Sequence, residues 1–223
     1  MRSVWLLLSL LVLLSFTAYA EDWDRILQKR GYVDVHEYDP NIQYYLKYAT
    51  DDNFMGRAVY REEGLTRAWL HPDAALKLHK AQQILRREKP MYSLMVYDAA
   101  RPMKVQRVMW DLVRGTKNTY YVANPSKGGG LHNYGMAVDV TIIDITGRPL
   151  PMGSPYDYFG TLANTDNEEA LLKKGEITQT EFWNRRLLRR VMREAGFSSV
   201  SSEWWHFNAC SRSTGHTKYR LIE

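Results

Sequence analysis

The segment from Gly128 to Asp144 constrains this chain more than any other. Three glycines lead into Leu-His-Asn-Tyr-Gly-Met, and then Ala137 to Ile143 runs as Ala-Val-Asp-Val-Thr-Ile-Ile. The β-branched residues predict a buried strand, and the glycines allow a sharp turn just before it. Asp139 stands inside that apolar run. A buried carboxylate is costly unless it is paired, hydrogen-bonded or bound to a metal, so the strand calls for a cation. His132 lies just upstream, and Glu203-Trp204-Trp205-His206-Phe207 supplies a second imidazole and a spare carboxylate far along the chain. His132, Asp139 and His206 make a ligand set for one zinc that leaves a fourth position for water, whose pKa the metal lowers, with Glu203 as general base. His132 and Asp139 are seven apart and Glu203 and His206 three apart. Neither spacing suits one face of a regular strand, so the turn at Tyr134-Gly135 and the stretch before His206 are predicted to be irregular.

Met1 to Ala20 differs from the rest. Arg2 is followed by an apolar run, Val4 to Phe16, and by Ala18-Tyr19-Ala20, the pattern of a secretory signal peptide and too short to span a bilayer. The chain is therefore expected to be exported, with a single domain from 21 to 223 and no stable membrane insertion. Across its 223 residues, 45% hydrophobic and 25% charged is an ordinary globular balance. The formal charge of +5 comes from basic helical stretches such as Lys77 to Lys89 and Arg185 to Arg193, which read as solvated faces. No nucleic-acid motif accompanies them, and no nucleic-acid or protein partner is expected. One cysteine, Cys210, excludes an internal disulfide.

Strands are expected over Val33 to Tyr38, Ile42 to Lys47, Arg57 to Tyr60, Ser93 to Tyr97, Phe197 to Val200 and Glu203 to Phe207, with Arg148 to Met152 as an edge strand or extended connection. Helices are expected over Ala74 to Glu88, Pro102 to Val113, Asn167 to Lys174 and Thr180 to Ala195, the last ending at Gly196. His71 and His79 read as helix-entry and packing residues rather than ligands. Arg101, at a strand end just before Pro102, is aimed at whatever that end faces, as an anion binder or in a salt bridge with Asp98. Gly153 to Thr165 is an irregular loop of a length that often covers a site.

Three motifs then carry a resemblance. Tyr97-Asp98-Ala99-Ala100-Arg101-Pro102, His132-Asn133-Tyr134-Gly135-Met136-Ala137-Val138-Asp139 and Glu203-Trp204-Trp205-His206 occur in this order and resemble the D-alanyl-D-alanine dipeptidases, the group that includes the vancomycin-resistance dipeptidases. Asp52 to Gly56 and Pro151 to Asp157 are similar to that family too. The resemblance implies an α+β fold, a small antiparallel or mixed sheet with flanking helices, shared with zinc D,D-carboxypeptidases and the hedgehog signalling domain. It also implies zinc on His132, Asp139 and His206, Glu203 as base, Arg101 as transition-state stabiliser and Asp157 as a contact for the substrate's ammonium. The function implied is hydrolysis of the D-alanyl-D-alanine dipeptide in the periplasm, with a small closed pocket that makes longer peptides poor substrates. A D,D-carboxypeptidase acting on longer muropeptides and a non-catalytic zinc-binding module of the cell envelope are the alternatives. Family members commonly have Ser where this chain has Gly130, a departure that bears on how strictly the dipeptide is recognised.

Overall fold

The computed structural model describes residues 22–223, so the expected signal peptide lies outside the described residues. In chain order the helices are α1 (Trp23–Lys29), α2 (Val35–Tyr38), α3 (Val59–Glu62), α4 (Pro72–Glu88), α5 (Met103–Val113), α6 (Glu168–Lys173), α7 (Gln179–Glu194) and α8 (Arg212–Lys218). The strands are β1 (Val33–Asp34), β2 (Gln43–Tyr44), β3 (Trp69–Leu70), β4 (Ser93–Asp98), β5 (Ala137–Ile143), β6 (Ser198–Ser199) and β7 (His206–Asn208). β1 and β3 form a small ribbon, while the main sheet has the order β2-β4-β5-β7-β6. Only the β2–β4 pair is parallel. This is an α+β fold with a small mixed sheet and flanking helices, as expected.

β5 is the middle of that sheet, and all seven of its residues are buried. Its apolar run is what a strand covered on both faces requires. α4 and α7 pack together, and α4 also packs on β4. On α4, Ala74, Ala75, Leu78, Ala81, Ile84 and Leu85 recur at helical spacing and are buried. Pro72 opens that helix behind His71, whose ring nitrogen accepts from the Asp73 amide, so His71 has the helix-entry role expected of it. α7 starts with a reciprocal Thr178 and Glu181 cap and ends before Gly196, which takes a left-handed conformation.

Several expected strands are not present in that form. After Asp34 the chain turns into α2, because the Asp34 carboxylate accepts from the Glu37 amide and starts a helix where β-branched composition suggests a strand. Val59 and Tyr60 belong to helix α3 and are buried beside the β4 end. The Arg148 to Met152 stretch, by contrast, is the extended connection that was one of its two expected forms, with a single bridge, Ile143 to Pro149, since its prolines lack the amides for a longer ladder. The final strand starts only at His206, and the expected polar tail contains α8, capped by Ser211. His79 is on α4 as expected, but it meets an acidic partner from elsewhere in the chain, Asp39, at 2.8 Å.

Candidate metal centre and active site

The pairing of three strands brings the site together. In the register of β4, β5 and β7, Asp98 lies opposite Asp139, and Asp139 lies opposite His206. Two carboxylates thus sit side by side in the interior, and each needs its own cation. A register irregularity between Val96 and Asp98 ends the regular ladder there.

Asp98 is satisfied from one side. The Arg101 Nε donates to it at 3.1 Å, a second Arg101 nitrogen donates to the same oxygen, and the Tyr60 hydroxyl and Ala99 amide donate to the other. Arg101 also donates to Gln106 at 2.9 Å, and its guanidinium lies over the Tyr48 ring. Burial works against its charge, but Asp98 and the surrounding tyrosines hold its pKa well above the ordinary value. Arg101 therefore has the ion pair with Asp98, but in a buried setting and at the edge of a cleft, not on the surface.

Asp139 is satisfied from the other side by the two histidines. His132 lies in a 3-10 turn, Leu131–Tyr134, that ends at Gly135 with φ of 64°. A Cβ at Gly135 would run into the Tyr32 ring, so this turn requires glycine. The turn removes the parity problem between His132 and Asp139, as expected. Asn133, fully buried, locks it: its side chain donates to the Arg101 carbonyl at 2.8 Å and accepts from the Gly130 amide at 2.9 Å. Glu203 to Trp205 lies outside β7 and is held to β5 by the Val140 amide, which donates to the Trp205 carbonyl at 3.0 Å; Glu203 and His206 line the same cleft.

Three donor atoms converge. His132 Nε2 is 3.2 Å from Asp139 Oδ1, His206 Nδ1 is 3.0 Å from the same oxygen, and the two ring nitrogens are 3.1 Å apart. Tetrahedral ligands held at about 2.0–2.1 Å from an ion would be about 3.3 Å apart, so the spacing fits a single small cation. The remaining atoms are oriented for that purpose. His132 Nδ1 lies 2.8 Å from the Ala99 carbonyl and donates to it, which leaves Nε2 with its lone pair. His206 Nε2 donates to Asn208 Oδ1 at 2.9 Å, which leaves Nδ1 free in the same way. Tyr156 donates to the outer oxygen of Asp139 at 2.9 Å. Among the described residues, this is the one group of three or more such side chains arranged to hold a metal.

The charges are consistent with that arrangement. Burial opposes ionisation of both partners, yet the histidines hold the Asp139 carboxyl far below the usual range, and Asp139 pushes His206 up to about 9. Glu203 is pushed up to about 7, by burial first and by Asp139, against the pull of His206. Asp157 is likewise pushed up to about 7, chiefly by burial. It lies in the Gly153 to Thr165 loop with φ of 59°, a left-handed conformation uncommon for a side chain of this size. There it accepts from the Tyr48 hydroxyl at 2.9 Å and the Phe54 amide at 3.4 Å. A cleft of about 660 Å³ contains all five expected side chains with Arg101, so the structure brings together His132, Asp139, His206, Glu203, Arg101 and Asp157. It is wider than the small closed pocket expected.

Sequence reasoning missed Tyr156, Asn208, Gln106 and Tyr48. Asn208 is two residues past His206 on one strand, a period-2 signal that would have found it. Tyr156 is separated from Asp139 by an irregular loop, and no sequence period links them. Replacing Tyr156 by Phe keeps its packing on Trp205 and Tyr97 but removes the bond to Asp139. Metal affinity is expected to fall by about tenfold or more with little change in folding, measured by chelator competition and thermal denaturation.

Comparison with known proteins agrees with this site. The family model described as D-ala-D-ala dipeptidase matches residues 28–220. The chain is 33% identical over 175 residues to the D-alanyl-D-alanine dipeptidase of Escherichia coli K12, covering 78% of this chain and 82% of that one. It is 30% identical over 192 residues to the D-alanyl-D-alanine dipeptidase of Enterococcus faecium, covering 79% and 90% respectively. The fold, the site and these matches make the chain a metallopeptidase. It belongs to the D-ala-D-ala dipeptidase family, whose members depend on a metal.

Proposed function

We propose that this protein is a zinc dipeptidase that hydrolyses D-alanyl-D-alanine to two D-alanines. The observation that carries the reading is the convergence of His132 Nε2, Asp139 Oδ1 and His206 Nδ1 in a cleft that also contains Glu203 and Asp157. Two imidazoles and one carboxylate are the donor set of a hydrolytic zinc site with an open position. Zinc held there supplies Lewis acidity toward a carbonyl and lowers the pKa of water toward about 7.

The protein's own groups do the rest. Glu203, whose carboxyl is pushed toward neutrality, takes a proton from the attacking water and delivers it to the leaving amine. Arg101 uses three of its N–H groups on Asp98 and Gln106, which leaves two of about five for the oxygen that becomes negative in the transition state. Asp98 is thus a positioning residue for Arg101. Asp157 accepts the substrate ammonium, and the Tyr48 and Phe54 bonds aim its carboxylate. Capture of a free amine is what separates a dipeptidase from a D,D-carboxypeptidase, which must accept an acylated D-Ala-D-Ala end. Glu203, together with Arg101, likewise favours an enzyme over a non-catalytic zinc module, since holding a metal needs neither.

The Met1 to Ala20 segment supports an exported, periplasmic enzyme that acts on peptidoglycan-derived dipeptide. N-terminal sequencing of protein recovered from the periplasm should begin at Glu21. Among the described residues no helix is long and apolar enough to cross a membrane.

The test of this reading compares D-Ala-D-Ala with its N-acetyl form in the parent and in Asp157→Asn. The parent should cleave the free dipeptide at least about 10²-fold better, because an acetylated amine leaves Asp157 buried without a cation. Asp157→Asn should raise KM for the free dipeptide more than it lowers kcat. Equal rates on both substrates would assign the chain to the carboxypeptidases. The same substitution has a stability signature. The Asp157 pKa is raised from an ordinary 3.8 to about 7, so the folded protein holds a proton that the unfolded chain has lost between those values. Stability contributed at this site therefore falls as pH rises through that window. Asp157→Asn should accordingly raise the melting temperature of the metal-free protein above about pH 7 and leave it nearly unchanged near pH 4.

A further inference from the structure

Besides its buried floor, the cleft has an uncompensated positive edge. Lys127 and Arg212 both line it, and both are exposed. The Arg212 guanidinium is fixed by the carbonyl oxygens of Gly129, at 3.1 Å, and Lys127, at 3.4 Å. These bonds hold its position without neutralising its charge. Among the described residues no carboxylate pairs with either cation. The carboxylates of the cleft, Asp139, Asp157 and Glu203, are the ones gathered around the metal centre. The charge along the cleft is therefore divided, with acid at the metal and base at the rim.

Size points the same way. A cleft of about 660 Å³ lies within the range of about 300–1,000 Å³ that encloses ligands of drug size. A dipeptide with two methyl side chains fills a small part of that. Gly130, two residues before His132, adds no side chain to the lining, and Met109 and Trp110 of α5 line the same cleft. Asp157, in the same cleft, is held by Tyr48, a buried residue, so a substrate whose ammonium it binds has its second residue on the side away from Asp157.

We propose that Lys127 and Arg212 select dipeptides whose second residue bears an anionic side chain, such as D-alanyl-D-glutamate, in addition to D-alanyl-D-alanine. This rests on the dipeptidase reading above. The terminal carboxylate of a dipeptide is one residue from the bond that is cut and stays near the buried centre. An acidic side chain extends outward and reaches the exposed cations. Two exposed pairs of this kind, at a low salt concentration, amount to a preference of about five- to twentyfold.

The experiment measures kcat/KM of the full-length zinc-loaded enzyme on D-Ala-D-Ala, D-Ala-D-Glu and D-Ala-D-Gln, in low and in high salt. Glutamine matches glutamate in size and lacks its charge, so the Glu to Gln ratio isolates the electrostatic part. The expected ratio is about five or more at low salt, falling toward one at high salt and in the Lys127→Gln/Arg212→Gln protein. Equal rates for the Glu and Gln dipeptides in the parent would overturn the proposal and leave the dipeptidase assignment standing. A double variant that loses D-Ala-D-Ala turnover as steeply as D-Ala-D-Glu turnover would also overturn it, since the cations would then bind the terminal carboxylate. Failure to cleave any of the three would remove the dipeptidase reading and this one with it.

Discussion

His206→Ala and His132→Ala proteins are expected to be purified with almost no zinc and to show no measurable hydrolysis, against about one zinc per chain in the parent. The reason lies in how few donors there are. With three protein ligands, loss of one leaves two, and the affinity given by an oriented imidazole disappears. The loss also frees charge in the interior. Asp139 is nearly inaccessible to water, and in the folded protein its partners are His132, His206 and Tyr156. Removing either imidazole leaves a carboxylate short of compensation, so a destabilisation of about 3–5 kcal/mol is expected as well. Asp139→Asn should likewise empty the site, with a smaller penalty, because a neutral amide costs less to bury than an unpaired carboxylate. Elemental analysis and denaturant titration of the three variants check this. A full complement of zinc in His206→Ala would remove that residue from the ligand set.

Glu203→Gln should keep its zinc and its fold and lose turnover by on the order of 10² or more, the size of a general acid-base contribution. Glutamine fills the same space but can neither take the proton from water nor return it to the leaving amine. Glu203 lines the cleft without belonging to the three converging donors, so metal content should be unaffected. Arg101→Ala should also lose most of its effect in kcat, because the charge it faces is greatest in the transition state. It differs from Glu203→Gln in one respect. Asp98 would be left buried with the Tyr60 hydroxyl, the Ala99 amide and, at 3.5 Å, the His132 ring, but without its guanidinium, so that variant should also melt lower. Lysine at 101 should restore part of the stability but little of the rate, since it cannot place two nitrogens on Asp98 and still present donors to the cleft. If Glu203→Gln with full zinc cleaved D-Ala-D-Ala at close to the parent rate, the base would have to be another carboxylate, and Asp157 is the next in the cleft.

The site was more legible in the sequence than the fold around it, for a physical reason. Asp139 inside an apolar run and Glu203 next to His206 are local anomalies, and each must be resolved by the chemistry of a site. The order of the sheet has no such local mark. Nothing near Asp98 says that β4 will place it opposite Asp139, because register depends on strands forty residues apart. The short strands were hardest to read. Val33 to Tyr38 reads as a strand on Val33, Val35 and Tyr38, yet one carboxylate at Asp34 was enough to cap a helix after two residues. α4 and α7 were read closely because an amphipathic pattern over four turns has its caps and its periodicity in one stretch. Tyr156 shows the limit in the site itself. Its place beside Asp139 is set by the path of a loop, and that path is fixed by contacts such as the buried Arg185, which donates to the Met152 and Leu162 carbonyls from α7.

The proposed hydrolysis of a dipeptide in this cleft requires a metal held on His132, Asp139 and His206. The direct measurement is D-Ala-D-Ala hydrolysis by the purified protein, followed through chelation and stoichiometric return of zinc, with metal content determined at each stage. The predicted result is turnover that disappears as zinc is removed and returns with about one equivalent, in the parent but not in His206→Ala. Undiminished turnover by protein shown to contain no metal would contradict it.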